Sequence, residues 1–258
     1  MSDFIDILAM VAQDTIDSGY YKRVKPRKNK QISLRKAILG CKANPVITEI
    51  KAASPSAGVI RKDVEPSLIA KAMQQGGATA LSVLTEPSYF KGSIEALIQA
   101  RNAVQLPIIM KDIVLNTIQI EAASKLGANA ILLIQALFDR GYCAKSLEEM
   151  ITLAHKGGLE VLLETHTQSE FDFAVKLDAD LIGINNRDLA TLSVNLETTK
   201  NILSKTSSNG KVVISESGIN TPADLRLLRE SGARAFLIGS SIMSSNNIEQ
   251  KVKEFVNA

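Results

Sequence analysis

The sequence is poor in aromatic residues: Phe, Trp and Tyr make up only 4% of its 258 residues, and tryptophan is absent. Hydrophobic residues still amount to 45%, and most of them are Val, Ile, Leu and Ala. Branched aliphatic side chains fill the interior layers of α/β barrels, and a domain of this length buries a large core. The composition therefore favours an α/β barrel over an aromatic-rich sandwich.

Cysteine and long apolar runs are also lacking. The two cysteines, Cys41 and Cys143, show no repeated spacing, which argues against a disulfide framework and favours a reducing compartment. No run of about 18 apolar residues occurs, so we expect no membrane span. The N-terminal segment begins acidic and has no basic leader, unlike a signal peptide. We expect a soluble, cytoplasmic protein.

The net charge is only +3, but basic residues are concentrated in one stretch that follows Tyr20 and Tyr21. The stretch is a candidate nucleic-acid patch, because Lys and Arg neutralise phosphates. It is equally typical of a solvated loop that lends positive field to an anionic substrate. No nucleic-acid-binding motif accompanies it, so we favour the loop and expect no nucleic-acid partner. The basic residues are Lys22, Arg23, Lys25, Arg27, Lys28 and Lys30.

Eight short, β-branched-rich apolar segments recur along the chain, and each is too short for a buried helix. Amphipathic stretches of helical spacing, such as Asn116–Leu126, lie between them. Strict alternation of strand and helix predicts right-handed βαβ units, and eight repeats predict closure into a (β/α)8 TIM barrel. The predicted strands are Pro45–Lys51, Ala78–Glu86, Leu106–Val114, Ala128–Ala136, Leu159–His166, Ala179–Arg187, Lys211–Gly218 and Ala233–Ser241.

A Gly-Ala-x-Ala repeat introduces strands two, four and eight, at Gly77, Gly127 and Gly232. Each glycine is expected to end the preceding helix. No glycine-rich dinucleotide fingerprint follows the first strand, so we expect no cofactor.

We interpret residues 1–258 as one domain, in which residues 45–258 form the barrel and residues 1–44 form a helical extension. Asp3–Asp17 and Ser33–Leu39 are predicted helices, and Ser33 is a plausible N-cap. The extension is expected to pack over one end of the barrel. The spacing leaves open whether that end is the bottom or the active-site mouth.

Ionisable residues stand at the carboxyl ends of the odd-numbered strands, where barrel enzymes place their catalytic groups. Glu49 and Lys51 are two residues apart and therefore share a face. Lys111, Glu164 and Glu216 end or lie in strands three, five and seven. Converging opposite charges suit proton transfer, but a salt-bridged network that braces the barrel is the alternative.

Two loops have the composition of a phosphate site. Ser217-Gly218 follows strand seven and Gly239-Ser240 follows strand eight, the usual pair of phosphate-binding loops in these barrels. On strand six, Asn185 and Arg187 share a face, and the Arg fork suits a substrate carboxylate, with an ordinary ion pair as the alternative. His155 and His166 stand apart from any Cys or His cluster, so we expect no metal.

In sum these motifs resemble the indole-3-glycerol phosphate synthase family of tryptophan biosynthesis, from about Pro45 to the C-terminus. Any one of them could occur by chance, whereas all of them in order are specific. The matching motifs are Glu49-Ile50-Lys51 with Ser54-Pro55-Ser56, Ser82–Glu86 with Phe90–Ser93, Met110-Lys111-Asp112, Leu163–His166, Ile182–Leu189, Glu216–Ile219 and Leu237–Ser241.

The resemblance implies a carbon–carbon lyase that converts 1-(2-carboxyphenylamino)-1-deoxy-D-ribulose 5-phosphate to indole-3-glycerol phosphate, CO2 and water. It implies a small phosphorylated substrate and leaves room for association with other tryptophan-pathway enzymes. By analogy, Lys111 is the general acid and Glu164 the base. The other implied catalytic residues are Lys51, Glu49, Asn185 and Glu216. The implied substrate-binding residues are Ser54, Arg187, Ser217, Gly218, Gly239, Ser240 and Phe90.

The sequence departs from the family pattern at Ile113, where an aromatic residue is usual, and at Thr165, where a small aliphatic is usual. Two rival functions remain: another phosphate-binding barrel enzyme such as a phosphoribosyl isomerase, and a non-catalytic sugar-phosphate binder. An isomerase needs a Cys or Asp base at the end of strand one, where this sequence has Glu49 and Lys51. A binder would lack the acid–base residues.

Overall fold

The computed structural model describes residues 3–27, 31–55 and 58–258. Eight parallel strands form a closed barrel in which each strand pairs with its neighbours in the sequence and the first pairs with the last. This confirms the predicted (β/α)8 barrel, and every strand of the barrel lies inside the corresponding predicted segment. The strands are β1 Val46–Ile50, β2 Ala80–Leu84, β3 Ile108–Lys111, β4 Ala130–Ile134, β5 Glu160–Thr165, β6 Leu181–Asn185, β7 Val212–Glu216 and β8 Ala235–Ile238.

Helices follow the strands and pack around the barrel, except for the first two, which belong to the extension. The helices are α1 Phe4–Asp17, α2 Leu34–Gly40, α3 Pro66–Gln75, α4 Ile94–Ala103, α5 Thr117–Leu126, α6 Gln135–Asp139, α7 Leu147–Lys156, α8 Gln168–Ala174, α9 Glu197–Leu203, α10 Pro222–Glu230, α11 Ser240–Met243 and α12 Ile248–Val256. None of the described helices is long and apolar enough to cross a bilayer.

Capping and glycine geometry explain where the helices begin and end. Ser33 caps α2 by accepting a hydrogen bond from the Lys36 N–H, as the sequence predicts. Gly77, Gly127 and Gly232 all have positive φ angles, of 93°, 88° and 106°. A left-handed residue after a helix turns the chain without the steric cost that a side chain would add. The Gly-Ala-x-Ala repeat therefore marks the return from helix to strand.

The barrel strands are almost completely buried, because helices cover their outer face and side chains fill the interior. No loop separates β4 from the helix that follows it: β4 ends at Ile134 and α6 begins at Gln135. The predicted fourth segment, Ala128–Ala136, therefore runs two residues into a short helix. A two-stranded antiparallel ribbon of Ala53–Ser54 and Gly58–Val59, which the sequence does not predict, follows β1.

The extension covers both ends of the barrel, which answers the question that the sequence leaves open. Phe4 and Leu8 of α1 line the cavity at the carboxyl ends of the strands. At the opposite end, the Ser33 hydroxyl contacts the Glu160 carboxylate at the start of β5, and the Arg35 N–H donates to the same carboxylate (2.9 Å). Helix α1 therefore roofs the mouth, and α2 closes the bottom.

Between these helices the chain runs down the outside of the barrel. Arg27 donates from its guanidinium to Asn102 of α4 (2.9 Å) and from its backbone to the Lys125 carbonyl of α5 (3.1 Å). The described part of the basic stretch thus forms a connection between α1 and α2, as the loop interpretation expects. Lys28 and Lys30 lie outside the described residues, as do Ser56 and Ala57 of the loop after β1.

Candidate active site

Lys111 is the centre of the polar cluster at the barrel mouth. As the last residue of β3, it directs its ammonium into the interior, where carboxylates from three other strands surround it. Its Nζ lies 2.6 Å from Oε2 of Glu216, 3.7 Å from Oε2 of Glu164 and 3.8 Å from Oε2 of Glu49. The odd-numbered strands therefore deliver their ionisable groups to one point, as the sequence predicts.

A second lysine joins the cluster from the end of β1. Lys51 Nζ lies 2.9 Å from Oε1 of Glu49, so this carboxylate bridges two lysines. The two residues share a face, as their spacing predicts, and the Ser82 hydroxyl donates to the other carboxylate oxygen (3.4 Å). Burial raises the pKa of Glu49, but the two lysines outweigh burial and hold its pKa below the usual value.

Burial and the neighbouring charges act in opposite directions on the pKa values of Lys111 and Glu216. Burial lowers the pKa of Lys111, but the charges of Glu216, Glu49 and Glu164 more than compensate and raise it, so the ammonium stays protonated. For Glu216, burial and the neighbouring carboxylates outweigh Lys111 and raise its pKa to about 7. The cluster thus holds a fixed cation beside a carboxyl poised near neutral pH, which suits proton transfer.

Glu216 lies beneath the cavity floor rather than on its surface. Its Oε2 accepts from Lys111, and its buried Oε1 has no hydrogen-bond partner among the described residues. Gly183 of β6 makes room for this carboxylate, since a Cβ at that position would stand 2.2 Å from Oε1. A glycine inside a strand often marks such a close approach, and this signal was available in the sequence.

On β6, Asn185 orients the candidate base. Its side-chain amide donates to Oε1 of Glu164 (2.9 Å), and its own Oδ1 accepts from the Arg187 N–H (2.9 Å). The Arg187 guanidinium donates to the Leu192 carbonyl (2.8 Å) and forms no ion pair within the described ranges. An arginine that faces a cavity without a carboxylate partner is available to a substrate anion.

The two glycine-containing loops follow β7 and β8, the strands that come next after β6 in the barrel. Ser217 and Gly218 both have positive φ, of 67° and 81°. This backbone conformation is strained for Ser217 but not for a glycine. A Cβ at Gly239 would stand 2.7 Å from Oε1 of Glu49, so the loop after β8 closes directly onto the ionic cluster. Helix α11 begins at Ser240, which faces the cavity.

The cavity has a volume of about 240 Å³ and brings together all but one of the residues that the sequence predicts for the site. The exception is Glu216, which reaches the site through Lys111. The predicted residues that line it are Glu49, Lys51, Ser54, Phe90, Lys111, Glu164, Asn185, Arg187, Ser217, Gly218, Gly239 and Ser240.

Sequence reasoning missed the apolar walls. Phe4 and Leu8, one helical turn apart on α1, form part of the roof, and Leu132 and Ile134 of β4 form part of the wall. The i, i+4 spacing on α1 indicates a buried face, but it does not say what the face packs against. The run Ala130–Ile134 is uniformly apolar, so no periodicity distinguishes its inner face from its outer one.

The two departures from the family pattern have different surroundings. Ile113 lines the cavity beside Lys111 and Asp112. Thr165 is buried in the barrel wall, where its hydroxyl donates to the Gly183 carbonyl (2.9 Å). Only the change at Ile113 therefore alters the surface that a substrate meets.

Both histidines are engaged in local contacts. His155 lies on α7 and its Nε2 is 2.9 Å from Asp180, and His166 Nδ1 is 2.7 Å from the Asn185 carbonyl. Across residues 3–27, 31–55 and 58–258, no group of three or more His, Cys, Asp or Glu side chains has the geometry of a metal site.

Comparison with known proteins gives a consistent result. The model of the family described as indole-3-glycerol phosphate synthase matches residues 8–255. The indole-3-glycerol phosphate synthase of Methanocaldococcus jannaschii is 45% identical over 94% of this chain and 88% of that protein. The one from Oceanobacillus iheyensis is 43% identical over 79% of this chain and 77% of its own length. The one from Aromatoleum aromaticum is 38% identical over 94% and 95%.

Solved structures of lower identity share the fold. A thiamine phosphate pyrophosphorylase from Pyrococcus furiosus superposes with a TM-score of 0.61 at 16% identity, over 86% of this chain and 96% of that one. An N-acetylmannosamine-6-phosphate 2-epimerase from Clostridium perfringens gives 0.60 at 16% identity, over 83% and 93%. At this identity, the likeness concerns the barrel architecture alone.

Proposed function

The chain belongs to the indole-3-glycerol phosphate synthase family, and from this premise we propose how the side chains at the barrel mouth divide the family's reaction. The reaction closes the ring of 1-(2-carboxyphenylamino)-1-deoxy-D-ribulose 5-phosphate and releases CO2 and water, giving indole-3-glycerol phosphate. The chain is therefore a carbon–carbon lyase of tryptophan biosynthesis that acts on a small phosphorylated substrate.

Lys111 is the general acid of ring closure. The aromatic carbon that bears the carboxylate attacks the ribulose carbonyl, and the ammonium donates a proton to the carbonyl oxygen, which becomes a hydroxyl. The developing alkoxide is a much stronger base than a lysine amine. Proton transfer is therefore favourable even though the three carboxylates around Lys111 raise its pKa. Loss of CO2 then restores the aromatic ring.

Glu164 is the base of the dehydration step. It takes the proton from the carbon next to the one that loses its hydroxyl, while the Asn185 amide holds one carboxylate oxygen in place (2.9 Å). The ammonium of Lys51 donates the proton with which the hydroxyl departs as water, and Glu49, 2.9 Å from it, balances its charge. Glu216 anchors Lys111 from below through the 2.6 Å contact.

The carboxylate and the phosphate of the substrate are bound by different loops at the mouth. Arg187, whose guanidinium has no carboxylate partner among the described side chains, takes the anthranilate carboxylate. The substrate phosphate is held by Ser54 and by the loops after β7 and β8, where backbone N–H groups and serine hydroxyls are available. Phe90 and the apolar walls enclose the aromatic ring. The loop residues are Ser217, Gly218, Gly239 and Ser240.

One observation carries this assignment: a single ammonium, that of Lys111, stands among three buried carboxylates at the mouth of the barrel. A phosphoribosyl isomerase needs a Cys or Asp base at the end of β1, where this chain has Glu49 and Lys51. A sugar-phosphate binder needs none of these acid–base groups. The two cysteines are free thiols, which fits a reducing, cytoplasmic setting. The proposed chemistry requires neither a cofactor nor a nucleic acid nor another enzyme of the pathway.

The test is a fluorescence assay for indole-3-glycerol phosphate formed from the carboxyphenylamino ribulose phosphate, with wild type compared with Lys111→Ala. We expect product from wild type and a kcat lower by about two to four powers of ten in the variant. A folded Lys111→Ala protein with wild-type kcat would remove Lys111 from the role of general acid.

A further inference from the structure

Asp112, the residue after the proposed general acid, is buried on the other side of β3. Consecutive residues at a strand end point in opposite directions, so the Lys111 side chain enters the ionic cluster and the Asp112 carboxylate binds groups outside it, although Asp112 also borders the cavity. One Asp112 carboxylate oxygen accepts from the Tyr21 hydroxyl (2.9 Å) and from the Thr85 hydroxyl, and the other accepts from the Ile113 N–H (2.8 Å). Asp112 forms no ion pair with any described cation.

Tyr21 and its neighbour Tyr20 are the tyrosines that precede the basic stretch, and the proposed function assigns them no role. The Tyr20 hydroxyl accepts from the Ile94 N–H (2.9 Å) and donates to the Thr85 carbonyl (3.2 Å). The two rings pack edge to face with centroids 5.0 Å apart. The pair therefore joins the chain that leaves the roof helix α1 to the ends of β2 and β3.

We propose that Tyr21 is a positioning residue for Lys111, because its hydroxyl holds the Asp112 carboxylate and thereby fixes the carboxyl end of β3. The inference rests on the proposed function, in which Lys111 is the general acid. Tyr21 is not among the residues that line the cavity, so its effect on Lys111 is indirect and passes through Asp112.

The distances around Lys111 explain why its position matters. Its Nζ is 2.6 Å from one carboxylate and 3.7 and 3.8 Å from two others, so a small displacement of the strand end changes which carboxylate holds the ammonium. A misplacement of about 1 Å in a catalytic group can cost about a hundredfold in rate. The phosphate loops follow β7 and β8, so a displacement at the end of β3 leaves the strands that carry these loops in place.

The protonation of Asp112 gives the inference a distinctive readout. Burial raises the pKa of Asp112 to about 7, while the hydrogen bonds from Thr85, Tyr21 and Ile113 oppose that rise and the charge of Glu86 adds to it. Among the described residues, the titratable groups that face Asp112 are Tyr20 and Tyr21 from the segment after α1 and Glu86 from the loop after β2. Removal of the Tyr21 hydroxyl leaves the charged form less stabilised, so the pKa of Asp112 rises further and the carboxylate protonates at higher pH.

The experiment compares Tyr21→Phe with Tyr142→Phe. Both substitutions remove one hydroxyl that donates to an aspartate at 2.9 Å, from Asp112 in the first case and from Asp6 of the roof helix in the second. We expect Tyr21→Phe to lower kcat about five- to fiftyfold with KM changed less than about twofold, and to move the acid limb of the kcat–pH profile to higher pH. Tyr142→Phe is expected to keep kcat within about twofold of wild type and to leave the limb in place.

Asp112→Asn keeps the side-chain shape and removes the titration. In that background, Tyr21→Phe should cause no shift of the acid limb, because the two substitutions act on one contact and their effects are not additive. If Tyr21→Phe does not fold, Asp112→Asn carries the test by itself, through a lower kcat at unchanged KM.

The outcomes separate this inference from the function on which it rests. An active wild type whose Tyr21→Phe variant keeps its kcat and its pH profile overturns the positioning role and leaves the proposed function intact. A Tyr21→Phe variant that loses stability and raises KM without moving the pH profile also overturns it, since that is the behaviour of a purely structural residue. A folded wild type that forms no indole-3-glycerol phosphate contradicts the proposed function itself.

Discussion

At the bottom of the barrel, the Glu160 carboxylate is satisfied by the Ser33 hydroxyl and by the Arg35 N–H, one contact for each oxygen. At the mouth, the Glu216 carboxylate has one oxygen bound to Lys111, and its other oxygen is buried without a partner among the described residues. Both carboxylates belong to barrel strands, and Glu160 is partly exposed whereas Glu216 is fully buried. Both oxygens of Glu160 have a partner, whereas only one oxygen of Glu216 does among the described residues.

The other polar groups follow the same division. At the bottom, the Asn129 side-chain oxygen accepts from Arg101 and from the Ile108 N–H, each at 3.0 Å, and so connects α4 to β3. At the mouth, one ammonium is shared unequally by three carboxylates. Buried polar groups that are fully paired stabilise a fold, whereas incompletely paired ones store free energy that a substrate can use. A substitution at the mouth should therefore lower kcat, whereas one at the bottom should lower the free energy of unfolding.

The largest effect is expected when one glutamate at each end becomes glutamine. Glu164→Gln removes the proposed base and should lower kcat by about 10²- to 10⁴-fold, with little change in the free energy of unfolding. Glu160→Gln is the matched control and should keep kcat within about twofold of wild type. Steady-state kinetics and urea unfolding of both proteins measure the two quantities. A Glu164→Gln enzyme that keeps more than about a tenth of wild-type kcat would contradict the role of base.

A truncation at the bottom should show the reverse behaviour. Glu160→Ala removes the contacts that join β5 to α2, and we expect the free energy of unfolding to fall by about 1–3 kcal/mol while kcat is retained. The exposed Glu121, which pairs with Lys125 one turn away, offers a control in Glu121→Ala, which should change stability far less. Loss of activity in a folded Glu160→Ala protein would show that the two ends are not independent.

The smallest effect is expected at the edge of the roof. Arg140 forms ion pairs with Asp3 and Asp6 at the start of α1, both at 2.7 Å and both partly exposed. Arg140→Ala should raise KM about two- to fivefold at low salt and leave kcat unchanged, because exposed ion pairs are weak and Phe4 and Leu8 belong to the binding cavity. The difference should shrink at high salt, where surface charges are screened. If wild type and Arg140→Ala have the same KM at low salt, the ion pairs of Arg140 do not hold α1 over the cavity.

The barrel and most of its site could be predicted because both are encoded locally. A strand buried on both faces shows as a short β-branched run, and Glu49 with Lys51, or Asn185 with Arg187, shows a shared face by its spacing. The conversion of these local patterns into one site follows from the fold, since the carboxyl ends of all eight strands meet at the same face.

The roof and the floor of the site could not be predicted, because they depend on contacts between distant parts of the chain. The amphipathic face of α1 predicts burial, but the side chains that receive it come from the loops after β2 and β4, such as Tyr89 against Phe4 and Arg140 against Asp3. The glycine at Gly183 signals a close approach, but that the approaching group is the Glu216 carboxylate depends on the register of two neighbouring strands. Neither relation appears in a window of ten or twenty residues.

The path of the N-terminal extension has a consequence for how the chain is made. The extension is synthesised before the barrel, yet its contacts of Asp3 with Arg140 and of Ser33 with Glu160 span 137 and 127 residues. At a synthesis rate of about 5–20 residues per second, this delay lasts roughly 6–30 s. For that time the apolar face of α1, with Ile5, Leu8 and Ile16, lacks contacts that cover it in the folded protein. The roof of the active site is thus made before the loops that hold it in place, which exposes apolar surface of the nascent chain to aggregation.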